Sequence, residues 1–148
     1  MSWLLDTNVI SELVRARPDP RVLAFIHEAD EDRLYLSAIT WAEIRRGIAL
    51  LPVGRKRQLL EDWLAQDLRA RFQSRILPID AEIAEHWGSL MAAAKANGQQ
   101  VSTIDGLIAA SAVVHDLQLV TRNTKDFAKL GVRLFNPWTS ANPDDVTA

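Results

Sequence analysis

Four carboxylates stand beside apolar runs and could do chemistry: Asp6, Glu43, Asp105 and Asp126. Asp6 closes the apolar run Trp3-Leu4-Leu5 and is followed by Thr7, Asn8 and the amphipathic stretch Val9 to Val14. An apolar run ended by an acid and followed by a helix reads as a buried parallel strand, with Asp6 at its C-terminal end. That edge of an open α/β sheet is where ligands bind. Each of the other acids lies three residues after a capping residue: Thr40 before Glu43, Ser102 before Asp105, Asn123 before Asp126.

Two readings of these acids are open. In the first they are helix caps and capping-box partners, each satisfying its own helix terminus. In the second they are oxygen ligands for a divalent cation. Asp105 favours the second, because it opens a helix that is apolar nearly all round and has no Lys or Arg beside it in sequence. A lone carboxylate near a core is costly without a partner. Carboxylates without His or Cys suit Mg²⁺ or Mn²⁺. Several acids around such ions are a usual device for hydrolysing phosphodiesters, where the metal activates a water and offsets charge on the phosphate.

Other chemistries find less support. The chain has no cysteine, which excludes disulfides, zinc thiolates and thiol nucleophiles and fits a reducing compartment. His27, His86 and His115 are scattered outside any metal-ligand spacing, and Ser37, Ser102 and Ser111 lack a nucleophile-elbow context. No glycine-rich phosphate loop is present.

The elements that must position the acids follow in order. A helix from Val9 to Ala16 stops at Pro18 and Pro20, and a second covers Arg21 to Ala29. Leu34 to Ser37 is a strand, and Thr40 opens a helix over Trp41 to Leu51. Gly47 inside that helix implies close packing against a neighbouring backbone. Arg55 to Phe72 is one amphipathic helix. Ile76 to Ile79 is short and β-like, and its Pro78 marks an edge position or the end of a strand. Asp80 caps a helix running to Asn97, and Ser102 starts the buried helix through Val114. Leu117 to Thr121 is a strand, Asn123 to Leu130 a short helix, and Val132 to Phe135 the last strand. Strands alternating with helices give an α/β domain, a parallel sheet of about four to five strands with helices on both sides. One domain over residues 1–138 is expected, followed by a flexible acidic tail over 139–148.

Composition agrees with a single folded domain: 148 residues, 48% hydrophobic and 24% charged. A net charge of −2 provides no global basic field, so a nucleic-acid partner needs a local patch. Arg69, Arg71 and Arg75, or Arg55, Lys56 and Arg57, are the candidate runs. No apolar run is long enough to span a bilayer and the N-terminus lacks a signal peptide's features, which predicts a cytoplasmic protein. Five Trp are many to bury in a small chain, and Trp41 and Trp63 suit either the core or a partner surface.

Taken together, the segments resemble the PIN domain family, and within it the FitB-like branch of the VapC toxins of toxin–antitoxin pairs. The matching stretches are Leu5 to Glu12, Leu36 to Ile44, Asp105 to Ala110, Val120 to Phe127 and the closing Phe135-Asn136-Pro137-Trp138. They cover almost the whole chain in order.

The resemblance implies a single PIN-like domain acting as a Mg²⁺- or Mn²⁺-dependent endoribonuclease, neutralised by a small VapB-type antitoxin and typically a homodimer. It makes Asp6, Glu43 and Asp105 metal-binding catalytic acids, with Thr7 and Thr121 supporting them by hydrogen bonds. The place often held by a fourth acid, just after the Thr-Arg pair, is Asn123 here, and Asp126 is the acid available to take over. Arg122, with Arg45 and Arg46, would hold the RNA backbone. Two alternatives remain: a PIN-fold nuclease in RNA processing outside toxin biology, and a non-catalytic interaction module whose acids are only caps.

Overall fold

The computed structural model describes residues 1–144 of the chain. Five strands form one parallel sheet: β1 (Trp3–Leu5), β2 (Leu34–Ser37), β3 (Ile76–Leu77), β4 (Gln118–Val120) and β5 (Leu134–Phe135), in the order β3-β2-β1-β4-β5. Among the described residues seven α-helices surround it: α1 (Thr7–Leu13), α2 (Pro20–Glu28), α3 (Ala38–Ala49), α4 (Arg55–Asp62), α5 (Arg69–Phe72), α6 (Ala81–Ala96) and α7 (Thr103–Val114).

Alternation along the central strands divides the core in two. Leu5 and Val120 face the first half, with Val9 and Ile10 of α1, Phe25 of α2, Ile44 and Ile48 of α3 and Phe72 of α5. Leu4 and Leu119 face the second half, with Ile108, Ala109 and Ala112 of α7. Helices therefore cover both faces of the sheet, as a parallel sheet requires. Strand β1 is central, and its register sets Leu5 against Val120. The next residues in each chain, Asp6 and Thr121, are thereby brought side by side.

Several sequence expectations change. The helix expected over residues 55–72 is interrupted by a π-helical segment, Trp63–Leu68, between α4 and α5. The wider turn keeps Leu64 and Leu68 buried. Gly47 is exposed, and a Cβ there would meet nothing within 4 Å, so it is not a close-packing glycine. That role belongs to Gly106, where a Cβ would fall 2.6 Å from Met91 Sδ and 2.9 Å from Trp87 Nε1. Thr40 does not cap α3. The chain passes from β2 into α3 without a loop, and the Ser37 hydroxyl takes the cap by accepting from Ile39 N–H at 3.1 Å. Thr40 is buried one turn inside the helix, and its hydroxyl has no partner among the described residues.

The basic runs are largely engaged. Arg71 makes a two-pronged contact with Glu31, at 2.7 and 3.1 Å, and Arg75 donates to the carbonyls of Glu31 and Leu34. Arg69 lies over the Trp41 ring at 4.8 Å, and Arg57 pairs with Glu61 at 2.7 Å. Trp41 and Trp63 are half-buried against the first core half. Of the tail, Thr139 and Ser140 donate backbone N–H groups to Asn136 O, and Pro143 O accepts from the Gln118 side chain at 2.9 Å. Residues 145–148, which the expected tail includes, lie outside the described residues.

Candidate active site

The C-terminal ends of β1 and β4 and the N-terminal parts of α1, α3 and α7 meet at a cavity of about 430 Å³. Asp6, Glu43 and Asp105 all line it, with Thr7, Asn123 and Arg122. The topology explains the convergence, since strand ends and helix starts meet at one edge of a parallel sheet.

Asp6 is 6% exposed. Its Oδ1 accepts from Thr7 N–H at 2.8 Å, so it does cap α1. Its Oδ2 accepts from the Thr121 hydroxyl at 2.8 Å and, more weakly, from the Asn8 amide at 3.4 Å. All three donors are neutral. Burial pushes the Asp6 carboxyl above its ordinary range; the Thr121 and Thr7 hydrogen bonds oppose this, and the nearby charges of Glu43 and Asp105 add to it.

Glu43 is not a capping-box partner. Its Oε1 accepts from the Thr7 hydroxyl at 2.6 Å, which turns it from its own helix end toward α1. Asp105 keeps half of its expected box: its backbone N–H donates to the capping Ser102 hydroxyl at 3.0 Å, and its side chain lines the cavity. Burial raises the Asp105 carboxyl, a hydrogen bond of that carboxyl with the Ser102 side chain opposes this, and Asp126 and Glu43 raise it further.

Asn123 lines the cavity, and its backbone N–H donates to the Thr121 hydroxyl at 3.0 Å. Its side chain caps nothing; Asp126 N–H bonds instead to the Asn123 carbonyl at 3.0 Å. Asp126 is exposed and not in the cavity lining, yet close enough to act on Asp105. Arg122 borders the cavity with its guanidinium 5.4 Å over the Trp138 ring. Arg45 and Arg46 do not; Arg45 sits 3.9 Å from Glu61.

Asn8, Ser11, Glu12, Arg15 and Trp138 also line the cavity and were missed from sequence. The first four recur at i, i+3, i+4 and i+7, a polar helical face continuing from Asp6 that periodicity alone could have marked.

The donor set fits a hard divalent cation that keeps much of its water. Asp6 has only neutral partners, and the charges of Glu43 and Asp105 add to the rise that burial imposes on its carboxyl, which a cation would relieve. Among the described residues no three His, Cys, Asp or Glu side chains form a ready-made metal cage. Mg²⁺ rarely needs one: it binds through one or two carboxylates plus waters and substrate phosphate.

A family model described as "PIN domain" matches residues 3–132. The chain is 43% identical to VapC ribonuclease Y4jK of Sinorhizobium fredii, over 93% of this chain and 99% of that protein. It is 44% identical to toxin FitB of Neisseria gonorrhoeae, over 91% of this chain and 97% of that one. The crystal structure of FitAcB from Neisseria gonorrhoeae superposes with a TM-score of 0.87 at 44% identity, covering 91% of this chain and 97% of the other. With the fold, the order of its segments and the family model in agreement, the chain belongs to the PIN domain family.

Proposed function

We propose that this chain is a divalent-metal-dependent endoribonuclease toxin of the VapC type, hydrolysing RNA phosphodiester bonds and held in check by a small VapB-type antitoxin. The observation that carries the reading is the meeting of Asp6, Glu43 and Asp105 at one cavity, with Asp6 buried and met only by neutral donors. Relatives named as a VapC ribonuclease and a toxin support the activity and its setting.

Asp6 and Asp105 would hold Mg²⁺, with Mn²⁺ as a substitute, and Glu43 would add a ligand directly or through water. When bound, the ion supplies an activated water and offsets negative charge at the phosphate. The chain's own groups set the stage. Thr121 and Thr7 N–H fix both oxygens of Asp6, and the Thr7 hydroxyl fixes Glu43. Asn123 brings a neutral amide where a fourth acid often lies, and Asp126 contributes charge from beside the cavity. Arg122 holds the RNA backbone. Single-stranded or looped RNA is the substrate class, because its backbone and bases are accessible.

An apolar groove between α1, α3 and α4 shares Thr7 and Glu43 with the cavity and is lined by Ile10, Ile44, Ile48 and Trp63. It suits an apolar antitoxin segment that would end over the acids. A homodimer is part of the same reading. Among the described residues no helix is long and apolar enough to cross a membrane, and the proposed site of action is the cytoplasm.

The test is cleavage of RNA by partner-free protein, with Mg²⁺ and Mn²⁺ titrated by calorimetry. Asp6→Asn and Asp105→Asn should each abolish cleavage while retaining the fold. Full cleavage by either variant overturns the assignment; absent cleavage and absent metal binding in the native chain favour the interaction-module alternative.

A further inference from the structure

The described residues include two buried acids, and the mechanism above uses only Asp6. The other, Glu12, is 4% exposed, sits on α1 and lines the same cavity. Both its carboxylate oxygens accept from a single nitrogen, Nη1 of Arg15, at 3.2 Å each. The Arg15 side chain is 62% exposed and also lines the cavity.

As a stabilising pair this is a poor design. The acid bears the cost of burial while its partner stands in screened solvent. As an anchor it works well. One nitrogen of the guanidinium is held from below, and among the described residues the rest of the fork makes no hydrogen bond. An arginine fork matches the geometry of phosphate oxygens. Arg122 is built alike by other means: its guanidinium rests on the Trp138 ring and forms no ion pair among the described residues. Other arginines are committed elsewhere, Arg71 and Arg75 to Glu31 and Arg57 to Glu61.

We propose that Arg15, held by the buried carboxylate of Glu12, is a second phosphate-gripping residue that works with Arg122 to hold the RNA chain across the acidic cavity, and that Glu12 is a positioning residue for it. The proposal rests on the ribonuclease reading and adds the path of the substrate.

The test follows cleavage of a labelled single-stranded RNA at several salt concentrations. It also follows binding of that RNA by fluorescence anisotropy in chelator. Arg15→Ala should raise KM roughly fivefold, the worth of one charge-assisted hydrogen bond in solvent, with kcat nearly unchanged. It should also lower the slope of log affinity against log salt by about 0.7, one phosphate contact on a single strand. Glu12→Gln should raise KM in the native background and add nothing in the Arg15→Ala background. If Glu12→Gln does not fold, the Arg15→Ala measurements decide alone.

Arg15→Ala with native KM and native salt slope overturns the proposal. So does Glu12→Gln lowering kcat at constant KM, which would place Glu12 with the ion. Native protein that binds RNA through Arg15 without cleaving it keeps the grip and sinks the ribonuclease reading. Native protein that cleaves with Arg15→Ala unaffected does the reverse. Native protein that neither binds nor cleaves RNA sinks both.

Discussion

The Thr7 hydroxyl donates to Glu43 Oε1 at 2.6 Å, joining the first turn of α1 to α3 across 36 residues of sequence. The bond turns a carboxylate from its own helix end into the cavity. Thr7→Val should cost about 1 kcal/mol of stability. It should lower kcat for RNA cleavage more than it alters KM. Thr7→Ser should restore both, which separates the hydroxyl from the methyl; equal activity in all three proteins would remove Glu43 from the site.

Like charges around the cavity oppose folding when no cation is bound. Asp105→Asn removes one of them together with a charge that burial disfavours. The variant should show a higher metal-free Tm than the native chain, by a few degrees. Added Mg²⁺ should raise the Tm of the native chain and leave that of the variant nearly unmoved, because only a ligand that binds the folded state stabilises it. A variant that melts lower without metal would mean that Asp105 has a stabilising partner.

Gly106 lies where α7 meets α6, next to Asp105. A methyl group there would press on Met91 Sδ and Trp87 Nε1 at 2.6 and 2.9 Å. Gly106→Ala should therefore cost about 1–3 kcal/mol in chemical denaturation, the usual toll of overpacking. Adding Met91→Ala should recover part of it, since the thioether can yield and the indole remains. Cleavage should fall along with stability, because the shift moves the turn that carries Asp105.

Glu31 is the charge whose pH dependence is cleanest to follow. The Arg71 guanidinium beside it holds its carboxyl below the ordinary range, against a partial cost of burial. A depressed folded-state pKa gives stability that is fully present above the unfolded value of 4.5 and lost as pH falls through the folded one. Since Glu31 is 43% exposed, solvent screens the pair and the contribution is at most about 1 kcal/mol. Glu31→Gln should flatten the acid limb of Tm against pH and change little at neutral pH beyond that small loss.

Much of the fold was legible because the chain is locally consistent. Apolar runs holding Leu4-Leu5 and Leu119-Val120 marked buried strands, and the structure puts successive residues of each on two faces of one sheet. Pro78 marked an edge or a strand end, and β3 is an edge strand that stops at Leu77. What failed depended on how elements join and pack. Thr40 has the right residue type and spacing for a cap, but the strand runs directly into α3 and Ser37 reaches the free N–H first. Gly47 and Gly106 look alike in a helical pattern; only the packing of α6 on α7 shows which one is crowded. Arg71 read as part of a basic run until the fold brought Glu31, 40 residues away, against it.

The candidate site divides in the same manner. Asp6, Glu43 and Asp105 could be selected because strand ends and helix starts are visible in sequence, and the sheet brings those positions to one edge. Glu12 and Arg15 were not singled out: an acid and a base three apart on a helix have the spacing of an ordinary surface pair. The burial of Glu12 depends on how α1 is rotated against the core, which sequence alone does not reveal.

The bond between Thr121 and Asp6 spans 115 residues. Its two halves leave the ribosome in sequence order, Asp6 well ahead of Thr121. Until β4 emerges, β1 lacks one neighbour and Asp6 lacks the hydroxyl that fixes its second oxygen. A chain stalled before residue 118 thus carries Asp6, Glu43 and Asp105 without the strand that frames them.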